Sequence, residues 1–300
     1  MTGCGALTKR NVKLFFKDKG MFFTALITPL ILLVLYATFL GNVYRESFTS
    51  SLPDFLQLSE KLINGCVGGQ LISSILAVSC VTVAFCSNMQ MVQDKVTGCR
   101  HDLTVSPVKP AALSMSYYAA TLISTLIVCY VATGLCLVYV AAEGWYLSVT
   151  DVLLLLLNVF LLVMFGTALS SVICFFLRSQ GQISAVGTIV SSGYGFICGA
   201  YMPISQFSVG LQKVISLLPG TYGTVLMRNH AMRGVFTAMA EQGLPDEAIQ
   251  GLRDAIDCNL YFFGTKVSTT MQYVVLIAVT AALIALYILI NALRQRKNNG

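Results

Sequence analysis

Apolar residues in this chain fall into long uncharged runs separated by short charged islands. The runs 21–40, 66–92, 112–139, 152–177, 183–201 and 269–293 each approach or exceed the roughly 20 residues that cross a bilayer as a helix. A backbone in lipid must satisfy its own polar groups, so runs of this length are read as helices. The expected fold is an all-α integral membrane protein with six transmembrane helices, the first kinked at Pro29. Ahead of the first run, residues 1–20 set Lys9, Arg10, Lys13, Lys17 and Lys19 against Leu7, Val12, Leu14, Phe15 and Phe16. That pattern predicts an amphipathic helix lying flat on the membrane. Residues 204–268, between the fifth and sixth runs, are the one long segment of soluble character. Their apolar stretches, 207–218 and 222–227, are too short to span, so an external re-entrant or helical segment is expected. A surface helix follows through Asp257, with Pro245, Asp246 and Glu247 at its start.

Composition agrees. The 300 residues are 56% hydrophobic and 11% charged, against about 25% charged in soluble domains. With six spans both termini share one side, together with the island 94–110 and Arg178. That side holds twelve of the nineteen Lys and Arg but only three of the thirteen acids. Basic excess marks the cytoplasm, so the termini and the island are expected inside. The net charge of +6 thus reports topology and calls for no nucleic acid. The first apolar run exceeds a signal-peptide core, roughly 7–15 residues, and is read as a retained span.

Chemistry is conspicuously missing. None of the six runs carries an ionisable residue near its middle, where ion-coupled carriers keep one. No GxxxxGK[ST] loop is present to cradle nucleotide phosphates, and no Gly-Lys pair occurs at all. His101 and His230 are the two histidines, with no HExxH motif and no CxxC. Most of the ten cysteines lie in apolar runs, where thiols behave as small hydrophobes. Cys198 and Cys258 both fall toward the outer face, and their pairing stays open. The chain therefore reads as non-catalytic, with no metal or cofactor of its own: a bundle that guides a substrate and is driven from outside.

Two features stand out within it. The island DKVTGCRHDLTVSPVKP is a short polar helix or loop between two spans, placed to receive a push from a soluble partner. Asp94, Arg100 and Asp102 are its expected contact charges. On the fifth span Gly187, Ser191, Gly195 and Gly199 recur every four residues, one stripe of small side chains. Packing within one subunit and a role at a dimer interface or translocation path explain the stripe equally well.

In order and spacing these features resemble the type-two membrane permease subunits of ATP-binding-cassette (ABC) exporters, which share their fold with the subfamily-G exporters. The stretch LTKRNVKLFFKDKGMFFTALITPLILLVLYATFLG resembles that family's amphipathic helix and first span. Asp94, Lys95, Gly98, Asp102, Ser106, Pro107 and Lys109 match its intracellular loop, although Val96 stands where a second acid is usual. Gly199, Pro203, Pro219, Thr221, Tyr222 and Arg228 match its late signature around a short re-entrant helix. The resemblance implies a separate ATPase subunit that binds ATP and Mg, a second permease chain, and export of drugs, lipids, polysaccharides or peptides through the surrounding membrane lipid. An ion-coupled secondary transporter and a non-transporting sensor or immunity protein are the alternatives.

Overall fold

The computed structural model describes residues 3–35, 38–39, 41–42, 45–46, 59–105 and 108–299. Helices dominate: α1 (Cys4–Lys17), α2 (Lys19–Leu35), α3 (Glu60–Val96), α4 (Cys99–Val105), α5 (Pro110–Glu143), α6 (Val149–Phe176) and α7 (Gln180–Ile197). After these come α8 (Val209–Ser216), α9 (Pro219–Glu241), α10 (Asp246–Ala255) and α11 (Thr269–Asn299). A two-stranded hairpin, β1 (Tyr261–Phe262) and β2 (Thr265–Lys266), precedes α11 and pairs Tyr261 with Lys266 and Phe262 with Thr265.

Among the described residues four helices are long and apolar enough to cross a membrane: α3, α5, α6 and Thr269–Leu293 of α11. The pair α1–α2, bent by 72°, makes a fifth if counted as one span. The run predicted over 21–40 is represented by α2 as far as Leu35, and residues 36, 37 and 40 lie outside the described set. In place of the run 183–201 stands α7, whose 18 residues include Gln180, Gln182 and many Ser, Thr and Gly. Polar content, not length alone, keeps it out of the apolar class.

α3 is the hub. Its core is enclosed by α2, α5, α6, α7 and α9. Small residues allow that enclosure, because a missing side chain lets a neighbouring backbone approach. Gly69 faces Met232 and the Ala231 carbonyl of α9, and Gly166 of α6 faces the Cys80 carbonyl of α3. Deeper in, Asn88 donates to the hydroxyls of Ser170 and Ser171 at 3.0 and 2.9 Å. The outer helices are the reverse: α5 exposes Ile127, Val131, Leu135 and Val138, and α11 exposes Met271, Val274, Ile277 and Leu289. Large apolar side chains covering the outside of a bundle fit lipid and not water.

The segment 204–268 is helical, as expected: the stretch 207–218 carries α8, and 222–227 lies in α9, a 23-residue helix buried along most of its length against α3, α6 and α11. The length and burial of α9 go beyond the sequence reading. Gly223 lies against Leu162 of α6, while Val235 lies near Gly65 at the start of α3. α9 therefore begins within the bundle and rises to the end where α3 starts. The predicted surface helix is present as α10.

Candidate functional site

Among the described residues, three places in the bundle bring together the polar and small residues singled out by the sequence. At the first, the end of α3, neighbouring residues hold different helices. Asp94 is buried, and its Oδ2 accepts from Arg10 Nη1 of α1 at 2.9 Å and from Tyr117 Oη of α5 at 2.6 Å. Its Oδ1 accepts from Gln90 Nε2 at 2.9 Å. Lys95 turns the other way and donates through Nζ to the carbonyls of Cys174 and Phe175 at 2.9 Å each, and of Leu177 at 3.3 Å. The last carbonyls of a helix lack intrahelical partners and carry its negative dipole end, so an ammonium there satisfies both. Successive helical residues point about 100° apart, which is how one helix end reaches α1 and α5 on one side and α6 on the other.

Beyond this staple the chain turns at Gly98, whose φ is +83°. A Cβ there would meet nothing, so backbone conformation and not space demands glycine. Gly98→Ala is expected to cost about 1–2 kcal/mol, the usual penalty for a left-handed L-residue. The check is faster hydrogen exchange confined to residues 97–105. The turn launches α4, whose Leu103 packs against the cluster of Met91, Val92, Leu113 and Tyr117. Arg100 is half-buried, Asp102 is exposed, and Lys109 is exposed as the residue capping α5. Ser106 and Pro107 lie outside the described residues.

This corrects the expectation that the island presents Asp94 to a partner. Asp94 and Lys95 face inward and bind this chain's own helices, which leaves Asp102 as the island's exposed acid. Arg10 and Tyr117 complete the staple. Sequence reasoning gave neither of them this role, because nothing local pairs residues 84 and 23 positions apart.

The second place is a groove of about 630 Å³ between α2, α3 and α7. Thr24, Gln93, Ser184, Thr188 and Ser191 give it polar walls, and Met89 and Ile183 apolar ones. Here the four-residue stripe divides. Gly187 and Ser191 line the groove, Gly187 opposite the Met89 methyl. Gly195 is packed beneath the ring of Tyr201, where a Cβ would collide with the ring carbons. Gly199 lies beyond the end of α7 with φ +71°. Half of the stripe thus serves a tight chain reversal within one subunit.

The third place is around Arg228, which is fully buried. Its Nη2 donates to the Gly199 carbonyl at 2.9 Å, and its Nη1 stands 3.5 Å from Asp257 Oδ2. Asp257 has φ +55°, and the same oxygen accepts from the Ile204 amide at 2.6 Å. Burial pushes the Asp257 carboxyl up to about 6, against the opposing pull of the Arg228 guanidinium. Pro203 opens the turn that follows α7, and Pro219 is the first residue of α9, where a missing N–H is harmless. Thr221 donates to the Ile215 carbonyl at 2.8 Å, and Tyr222 is buried with Val225 and Leu260. These residues lock the end of α7, the start of α9 and the exit of α10 together.

Nearby is a cluster that sequence reasoning missed. Ser148 and Asp151 form a capping box at the start of α6, and Asp151 Oδ1 also meets Arg233 Nε of α9 at 2.6 Å. One turn away on α9, His230 Nε2 is 3.1 Å from the Tyr273 hydroxyl of α11. Burial and the Arg233 charge hold its imidazole below its usual range, against the opposing pull of Asp151. The local signal was Ser148-x-x-Asp151, a helix-start pattern readable without any knowledge of Arg233.

All ten cysteines are free, with Cys198 and Cys258 both buried. No group of His, Cys, Asp and Glu among the described residues is arranged to hold a metal ion.

Enclosed apolar helices, an amphipathic leading helix and a charged island between two spans define an all-α membrane protein of transporter type. The family model described as ABC-2 type transporter matches residues 2–231, from before α1 to just past Arg228, and the chain belongs to that family. It is thus a permease component of an ABC transporter. No curated protein and no solved structure matches the chain.

Proposed function

We propose that this chain is the non-catalytic membrane subunit of an ATP-driven exporter, paired with a second permease chain and driven by a separate ATPase subunit. In this reading the α4 end of the bundle is cytoplasmic, as are both termini, and the membrane is the cell inner membrane. The observation that carries the reading is the staple at the end of α3. A push on α4 is delivered across one glycine turn to α3, then through Asp94 to α1 and α5 and through Lys95 to α6. A rigid ATPase closing on ATP and Mg needs such a lever, since sub-ångström shifts at a contact reach a bundle only through packed elements. The groove between α2, α3 and α7 is the candidate path. Its mix of Ser, Thr and Gln with Met and Ile suits an amphipathic drug, lipid, peptide or polysaccharide chain.

The test is at Asp102, whose carboxylate is exposed and bonds to none of the described residues. Asp102→Arg is expected to lower ATP-dependent export by the assembled transporter about tenfold while leaving membrane insertion and thermal stability unchanged. Export at the unsubstituted rate would remove α4 as the contact. Export without nucleotide by the chain alone would remove the ATP-driven reading altogether.

A further inference from the structure

The segment 204–268 has two unlike sides. α10 turns Asp246, Glu247, Gln250 and Asp254 outward, a surface made for water. α8 and the β1–β2 hairpin do the opposite. On α8 the large apolar residues Val209, Leu211 and Val214 are each about half exposed or more, and Leu217 follows at 56%. On the hairpin Tyr261 and Phe262 are exposed, and Phe263 is 59% exposed at its tip. Phe263 adopts a left-handed φ of +47° next to Gly264 at +87°, the two-residue turn usually made by Asn-Gly or Asp-Gly. A bulky aromatic ring in that position is costly, and its contacts, edge-on with Phe262 at 4.8 Å and under Lys213, leave it 59% exposed and outside the core.

The two apolar elements form one surface. Lys213 Nζ of α8 lies over the Phe263 ring at 5.8 Å, and Gln212, Ser216, Tyr261 and Phe263 share a cleft of about 470 Å³. The hairpin is also fixed in height. Lys266 ends β2 and Thr269 begins the apolar span of α11. Three residues reach at most about 10 Å, so the hairpin cannot stand far from the membrane boundary. Exposed Phe196 and Ile197 close α7 on the approach to α8. The apolar surface therefore stands at the membrane boundary of α11, and it carries aromatic rings and a lysine as interfacial segments do.

We propose that α8 and the 261–266 hairpin form an anchor seated in the headgroup and glycerol layer of the leaflet at the Arg228 end. Val209, Leu211, Leu217 and Phe263 enter the acyl boundary, while Lys213 stays among the phosphates. The hairpin follows the stretch matched by the family model, and the anchor rests on the membrane-spanning fold alone, whichever substrate is moved.

The chain has one tryptophan, which makes the test direct. In a Trp145→Phe background, Phe263→Trp, Leu211→Trp and, on α10, Glu247→Trp are reconstituted as the full chain into phosphatidylcholine–phosphatidylglycerol vesicles. Bromines are placed in the lipid either near the headgroup or at mid-chain, and iodide is supplied on both sides. The expected result is strong quenching of the Phe263→Trp and Leu211→Trp probes by shallow bromines, weaker quenching by deep ones and little by iodide. The Glu247→Trp probe should show the reverse. Iodide quenching of the first two equal to that of Glu247→Trp would overturn the anchor in favour of water. Protection from both quenchers would overturn it in favour of a protein cover such as a second copy of the chain. If Phe263→Trp does not fold, Leu211→Trp decides alone.

Discussion

Replacing Arg228 with Met should unlock one end of the bundle at neutral pH and do much less harm in mild acid. The guanidinium is fully enclosed, and Asp257 sits beside it with the Ile204 amide on the same oxygen. Removing one partner of a buried ion pair costs about 3–5 kcal/mol, because the other is left as an uncompensated charge. Here the orphan would be a carboxylate that burial already pushes up to about 6, against about 4 in an unfolded chain. A raised carboxyl holds its proton in the folded state where the unfolded state has released it. Its contribution to stability is therefore full below the unfolded value and lost as pH rises through the folded one. Without Arg228 the folded value moves higher still. The Arg228→Met defect should thus be large at pH 7 and shrink toward pH 5. Hydrogen exchange across residues 196–206 and 255–260 reads this directly, and equal exchange at both pH values would contradict it.

Asp94→Ala is expected to be the second most damaging change, at roughly 3 kcal/mol, since it strips partners from Tyr117 and Arg10 at once. Tyr117 suffers more, being buried, whereas Arg10 is partly exposed and can hydrate. The loss should appear as a lower unfolding temperature and release of α1, seen as protease cleavage near Lys9 or Lys13. Asp102→Ala in the same loop should leave both readouts unchanged. Similar damage from the two would mean that the whole loop is structural and the inward–outward division is wrong.

Spans were legible because lipid imposes one crude demand, a long run without charge, that α3, α5, α6 and α11 each meet in isolation. Asp94 was misread for a related reason. It follows an apolar run and precedes a polar one, so local pattern assigns it to the surface, yet its partners arrive from α1 and α5. α9 was harder to find. Its sequence mixes Arg228, His230 and Arg233 with glycines and alanines, and such a helix resembles a soluble one unless its internal partners are known. Those partners are Gly199, Asp257, Tyr273 and Asp151, and all lie on other elements. The stripe on α7 is cut short for a simpler reason. Four-residue spacing marks one face only while the helix lasts, and α7 stops at Ile197, before Gly199.

The depth at which α9 begins has a bearing on assembly. Its seat is walled by α3 and α6, which precede it in the chain, and closed by α11, which follows. Until α9 arrives, the sides of α3 and α6 that it covers, with Gly65, Gly69, Leu162 and Asp151 among them, stand without their cover. α9 is therefore set between two walls already made and sealed by the helix that follows it, and a chain stopped before Pro219 would leave those walls open to chaperones and proteases.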